Sequence, residues 1–338
     1  MTIHSAHANL RAPLEGPCYQ NVGLTPLGFA VIKMWDRPRR FSVPVWGFAY
    51  YLLRQMAMLR TLLILGRVSN LPTVWSNCMA GWLLAGAGFD GSFLLLCLGA
   101  TGVYLGGMYL NDAFDAQFDQ QHRPERPIPS GLIRVEAVWG WGLAWLGLGL
   151  ACLFLFGKVT MILALLLALS VLVYDAVHKV FAFSPVLMAA CRFFLVLTAA
   201  SVPRDTVDGL AVWSALVLGG YVVGLSYIAK RETGDSALSY WPCALLAAPM
   251  VLAVIVNRGD NQWRTAVLCG ILAFWMIRCL RFALWAPQRN IGRAVAGLLA
   301  GITLVDWLSV WQGEALVAIV FAALFGMALL FQRFVPAT

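Results

Sequence analysis

The sequence predicts an all-α, polytopic transmembrane bundle of about nine to ten helices. Three observations lead there. Hydrophobic residues make up 61% of the 338 and charged residues only 12%, where soluble domains carry about 25% charged. Mean hydropathy is +0.77, and apolar runs of roughly 20 residues, enough to cross a hydrocarbon core, recur along the chain. Lys and Arg fall in alternate gaps between those runs, as membrane topology requires. Short alternating segments, the mark of a membrane barrel, are absent from the sequence.

Residues 1–41 are mixed, with "EGPCYQNVG" and "KMWDRPRRF" and no sustained helical period. No apolar core of a signal peptide stands at the start. Residues 42–66 are apolar but interrupted by Arg54 and Arg60, which predicts a helix lying at the membrane interface. Residues 1–58 are therefore read as an N-terminal extension, partly disordered or interfacial, and 59–338 as the transmembrane domain. The spans expected are 71–88, 92–110, 135–156, 159–175, 185–202, 211–229, 240–257, 263–284, 291–310 and 314–333.

Threaded with both termini inside, these spans put most cations on one side. The inside segments hold Arg54, Arg60 and Arg67; Arg123, Arg126 and Arg134; Lys179; Lys230 and Arg231; Arg278, Arg281, Arg289 and Arg293; and Arg333. The outside loops hold Lys158, Arg204, Arg258 and Arg264. That asymmetry predicts the cytoplasm on the richer side. The formal charge of +8 is explained by topology and phosphate binding, and no nucleic-acid partner is expected. The eight cysteines contain no CxxC pair and sit mostly in apolar runs. They read as small core residues, not as disulfides or zinc ligands.

Three polar clusters end the second, fourth and sixth spans on the same face. The first is "NDAFDAQFDQQHRPERPIPSG", residues 111–131. On a helix, Asn111, Asp112, Asp115 and Asp119 project at about 0°, 100°, 40° and 80°, one narrow face. Acids at a helix C-terminus oppose its dipole and repel one another, so something positive must balance them. Mg²⁺ prefers oxygen and is held by one or two carboxylates plus substrate phosphates. Arg123 and Arg126 suit phosphate oxygens, and Pro124, Pro127 and Pro129 stiffen the segment carrying them.

The second cluster, "YDAVHK", holds Tyr174, Asp175, His178 and Lys179. Asp175 and Lys179 stand i,i+4 and are spaced to pair. Lys179 reads either as an interfacial, snorkelling residue or as a phosphate ligand. The third, "AKRETGDSALS", holds Glu232 and Asp235, spaced i,i+3. They either hold a second metal or form a structural cluster with Lys230 and Arg231. Arg67 and Asn70 precede the first span, and Arg192 lies within the fifth, where a charge demands a carboxylate or phosphate partner. Asp306 in the ninth span is a candidate partner.

At these residues the chain resembles the UbiA family of intramembrane prenyltransferases, whose first motif, NDxxDxxxD, stands complete as "NDAFDAQFD". "RPERPIPSG", the Tyr174-to-Lys179 pair and "RVSNLPTVWSN" are also similar to that family. Within it, the chain is most similar to the EboC subgroup. The resemblance covers roughly residues 60–333. It implies a helical bundle, usually of nine helices, with a cavity open to the cytoplasm and the bilayer, in a multi-pass protein of the bacterial inner (plasma) membrane. It implies Mg²⁺ held by Asn111, Asp112, Asp115 and Asp119, with Glu232 and Asp235 at a second metal. Asp112, Asp115, Asp119, Lys179 and Asp235 are then the catalytic set. An isoprenyl diphosphate would be bound by Arg67, Asn70, Asn111, Arg123, Arg126, Tyr174, Lys179, Arg192, Lys230 and Arg231. A hydrophobic acceptor, often an aromatic ring, would take the isoprenyl group and diphosphate would leave.

One departure stands out. The family's second motif is DxxxD, and four residues before Asp235 stands Arg231. That keeps open an alternative, a non-catalytic isoprenoid- or lipid-binding component of a biosynthetic or export pathway. A CDP-alcohol phosphotransferase fits poorly, because no DG and AR pair precedes the acidic run.

Overall fold

The computed structural model describes residues 44–230, 240–257, 262–286, 288–310 and 315–336, with backbone alone for 44–51. Its regular elements are helical: α1 (Pro44–Leu65), a 3-10 turn (Val68–Asn70), α2 (Leu71–Leu84), α3 (Gly91–Phe114), α4 (Ala116–His122), α5 (Val135–Phe154), α6 (Lys158–Val177), α7 (Ser184–Ser201), α8 (Gly209–Ala229), α9 (Trp241–Leu246), α10 (Ala248–Val256), α11 (Gln262–Leu284), α12 (Ile291–Ser309) and α13 (Ala315–Phe331). Seven of them, α3, α5, α6, α7, α8, α11 and α12, are long and apolar enough to cross a membrane. The pair α9–α10 and α13 are shorter apolar helices. The protein is an integral, multi-pass membrane protein, and the expected spans fall on these helices within a few residues.

Three expectations are corrected. The span expected over 240–257 is two helices meeting at Ala247, because Pro249 lacks the N–H and its ring blocks a continuous helix. The span expected to reach residue 88 ends at Leu84. The acidic run does not continue the second span as one helix: α3 stops at Phe114, and Asp115 joins it to α4.

The helix that carries the acids is held by an unusually close neighbour. Gly99, Gly102 and Gly106 of α3 face Gly149 and Gly142 of α5. A Cβ on Gly149 would lie 2.5 Å from the Val103 nitrogen and 2.7 Å from the Gly99 oxygen. Small residues let the two backbones approach, which is how helices associate where lipid removes the hydrophobic drive. At the far end of the bundle, Asp205 caps α6. Its carboxylate accepts from the backbone N–H of Lys158 at 3.1 Å and of Val159 at 2.8 Å. It does so from a left-handed backbone, φ 52°.

The basic loop after α4 folds back on itself. The backbone N–H of Arg123 donates the last helical bond to the Asp119 carbonyl. Backbone bonds from Ser130 to Arg126 and from Leu132 to Pro127 close the turn, and Gly131 leaves it at φ 75°, where glycine meets no steric cost. The prolines Pro124, Pro127 and Pro129 punctuate this segment. The turn carries Arg126 back over the acids.

Candidate functional site

Asn111, Asp112, Asp115 and Asp119 are all buried, Asp119 at 2% exposure. All four stay buried across the break at Asp115. Burying carboxylates is costly unless they are paired, and the structure shows the partners. Arg126 Nη1 donates to Asp119 Oδ2 at 2.7 Å and to Asp112 Oδ1 at 3.4 Å. Arg67 Nη2 donates to Asp112 Oδ1 and to Asn111 Oδ1, both at 3.3 Å. Lys179 Nζ lies 2.7 Å from Asp115 Oδ1, and His178 Nε2 lies 3.5 Å from Asp115 Oδ2. Burial alone pushes the Asp115 carboxyl up, but the His178 and Lys179 contacts outweigh it and hold it below the usual carboxylate range.

The first and second polar clusters are therefore one site, formed where the ends of α3 and α6 meet the turn before α2. Arg67 reaches it from a left-handed backbone, φ 40°, and Tyr104 donates to the Arg67 carbonyl at 3.1 Å. Tyr174 does not touch the acids; its ring stacks on His178 with centroids 5.0 Å apart. The expected Asp175–Lys179 pair is not made. Lys179 takes Asp115 instead, and Asp175 Oδ1 accepts from Asn111 Nδ2 at 3.1 Å. The reason is that α6 ends at Val177, so Lys179 lies in the turn beyond the helix, off its i,i+4 face, where Asp115 is within reach.

Four carboxylates, Asp112, Asp115, Asp119 and Asp175, thus meet three permanent cations, Arg67, Arg126 and Lys179. Two buried oxygens, Asp119 Oδ1 and Asp175 Oδ2, have no hydrogen-bond partner. Both are hard acceptors in a site short of positive charge, which is the environment a hard divalent cation takes. Among the described residues no three His, Cys, Asp or Glu side chains are placed to hold a metal ion by themselves. An Mg²⁺ site completed by substrate phosphates needs only one or two carboxylates, so the donor set fits.

The other expected residues lie elsewhere. Arg123 is exposed and forms no ion pair among the described residues. Lys230 donates to the carbonyls of Phe181 and Ala182 at 3.3 and 3.1 Å, in the turn between α6 and α7. Arg231, Glu232 and Asp235 lie outside the described residues. Arg192 joins a second network, deeper in the bundle. It donates to Asn77 Oδ1 at 2.8 Å and to Thr73 Oγ1 at 3.0 Å. Asn77 Nδ2 donates to Asp306 Oδ2 at 2.7 Å, and Ser76 donates to the same oxygen. Arg192 and Asp306 are thus linked, but through Asn77. Asn70 is buried at the start of α2 and takes Thr73 Oγ1 on its carbonyl at 2.7 Å. Sequence reasoning missed Thr73, Ser76 and Asn77. Their signal was present: polar residues at 70, 73 and 77 keep one helical face inside an apolar run. His178, noted but given no role, and Phe118 were also missed.

Residues 71–337 match the model of the UbiA prenyltransferase family. A digeranylgeranylglyceryl phosphate synthase of Metallosphaera sedula is 30% identical over 214 residues, 60% of this chain and 66% of that protein. One of Methanopyrus kandleri is 37% identical over 95 residues, 28% of this chain and 35% of that one. The chain spans about a third or less of several such relatives, 30% for that of Ignicoccus hospitalis. Among solved structures, a UbiA homolog from Aeropyrum pernix K1 aligns with a TM-score of 0.57 at 17% identity, over 72% of this chain and 96% of that one. A digeranylgeranylglyceryl phosphate synthase structure aligns at 0.52 and 19% identity, over 80% and 98%. At those identities the structural likeness is one of fold.

Proposed function

The chain belongs to the UbiA prenyltransferase family, and from that premise we propose that it transfers an isoprenyl group from a prenyl diphosphate to a hydrophobic acceptor, releasing diphosphate. The observation that carries this reading is the buried set Asp112, Asp115 and Asp119 gathered with Arg67, Arg126 and Lys179 at one end of the bundle. Acid and base side by side at a helix end suit a metal-bridged diphosphate better than they suit an empty pocket.

Asp112, Asp115, Asp119 and Asn111 would hold Mg²⁺, with the unpartnered Asp119 Oδ1 as a ready ligand. The ion supplies charge neutralisation at the leaving diphosphate. Lys179 and Arg126 face the same space and place fixed positive charge where the diphosphate oxygens gain electrons, the kind of preorganised stabilisation that lowers such barriers. In the reaction the allylic C–O bond breaks with its electron pair going to diphosphate, the acceptor bonds to the freed carbon, and the acceptor loses a proton. The name of the relatives makes a glyceryl phosphate hydroxyl an acceptor class to set beside an aromatic ring. The concentration of Arg126, Arg134, Lys179 and Lys230 at this end supports a site that faces the cytoplasm.

The test is diphosphate release by protein reconstituted with Mg²⁺, labelled geranylgeranyl diphosphate and either acceptor class. Asp112→Ala and Asp115→Ala are each expected to lose at least about two orders of magnitude, the cost of removing a main electrostatic contributor. Full activity in both variants overturns the site. Tight binding of the donor with no turnover on either acceptor favours the isoprenoid-binding reading instead.

A further inference from the structure

Phe118 has no place in the acid motif's chemistry, yet it sits against the site's mobile cation. Lys179 Nζ lies 3.8 Å from the centre of the Phe118 ring and 2.7 Å from Asp115 Oδ1. The other contact of the ring is His122, stacked with centroids 4.1 Å apart and planes 12° off parallel. His122 is fixed in turn, its Nδ1 3.0 Å from the Phe118 carbonyl oxygen. The ring is held between an imidazole and an ammonium although it is 42% exposed. The ring stands on the seven-residue helix α4, one position before the buried Asp119.

We infer that Phe118 is a positioning residue that holds the Lys179 ammonium in place for the prenyl diphosphate. The inference rests on the reading that Lys179 meets that diphosphate. An ammonium has three donors. Asp115 takes one, and the face of the ring attracts the charge without accepting a strong hydrogen bond. A lysine carries four flexible side-chain bonds and loses much freedom when fixed. If Asp115 turned toward a metal, a lysine held by Asp115 alone would be released. The ring keeps it near the site through that exchange and leaves its remaining donors to phosphate oxygens. The same logic acts on the other oxygen of Asp115, where Tyr174 stacks on His178.

The experiment measures binding of geranylgeranyl thiodiphosphate, which resists ionisation, to the purified full chain in nanodiscs with Mg²⁺. Phe118→Leu is expected to raise Kd about two- to fivefold, the reach of a cation–π contact at a partly exposed site. Phe118→Tyr and Phe118→Trp are expected to bind within about twofold of the unaltered protein. Mono-, di- and trifluorophenylalanine at 118 keep the ring's shape and drain its face, so Kd should climb with each fluorine. In a Lys179→Met background, Phe118→Leu should add nothing. A flat fluorine series alongside a Lys179→Met variant that binds poorly overturns the role of Phe118 and leaves the proposed function standing. A Lys179→Met variant that binds normally overturns the roles of both Lys179 and Phe118, while prenyl transfer itself stands or falls on Asp112→Ala and Asp115→Ala.

Discussion

Asp119 shows how one residue can be both satisfied and unfinished. One oxygen takes a 2.7 Å bond from Arg126 while the other, buried, has no partner. Removing the side chain would leave Arg126 with a single long contact to Asp112. Asp119→Ala should therefore lower thermal stability as well as activity. A loss of about 1–3 kcal/mol is expected, the usual cost of stranding a charged hydrogen-bonding partner, read as a fall in the unfolding midpoint in detergent. Asp119→Asn keeps the shape and one acceptor, so it should retain most of that stability while weakening Mg²⁺ binding, measured by titration with the ion. A variant equally tight for Mg²⁺ would show that the unpartnered oxygen has no such use. Asn77 is the comparable case in the deeper network, since its amide bridges Arg192 and Asp306. Asn77→Leu leaves Arg192 with Thr73 and Asp306 with Ser76, and should lower the same melting midpoint by about 1–3 kcal/mol.

At the scale of elements, the packing of α3 on α5 decides where the acids stand. Gly149→Val would drive its side chain into the α3 backbone, which cannot move aside as a flexible side chain could. Overpacking of this kind costs about 1–3 kcal/mol and should displace the end of α3. Activity is expected to fall with stability. Asp205→Ala is the control. It removes the cap of α6, worth about 1 kcal/mol, at the opposite end of the bundle. Its midpoint should drop while diphosphate release per folded molecule stays level; a parallel loss of release would show that the α6 end is felt at the site. The helices themselves were legible in the sequence, because the length of an apolar run fixes a span almost without tertiary help. The break at Ala247 was legible only through Pro249. The break at Asp115 carries no Gly or Pro to announce it. The acids of the site were equally legible, since their spacing is local. Their partners were not. Lys179 takes Asp115 rather than Asp175 because α6 ends at Val177 and two helix ends meet there, and no spacing records that meeting. Arg67 likewise reaches Asp112 across 45 positions.

For the whole molecule, the charge pattern and the site make one statement about orientation. Leu132, in the exposed basic turn, and Thr206, beside the α6 cap, lie at opposite ends of the bundle. In a cysteine-free background, a thiol placed at 206 should react with a membrane-impermeant maleimide in intact cells. A thiol at 132 should react only after the cells are opened. The reverse pattern would put the site outside and refute the orientation argued from Lys and Arg.

The link from Asn77 to Asp306 also has a history in time. The two residues stand 229 positions apart, and at roughly 5–20 residues per second of synthesis the second is made on the order of 10–45 s after the first. Arg192 follows Asn77 by 115 positions, so for the second half of that interval α2 and α7 hold their asparagine and arginine without the acid that completes them. A ribosome that stalls before α12 leaves behind a nascent chain already marked as incomplete by its own polar groups. The acid of α12 is in this sense the seal of that network, and a truncated product should be an early substrate for membrane quality control.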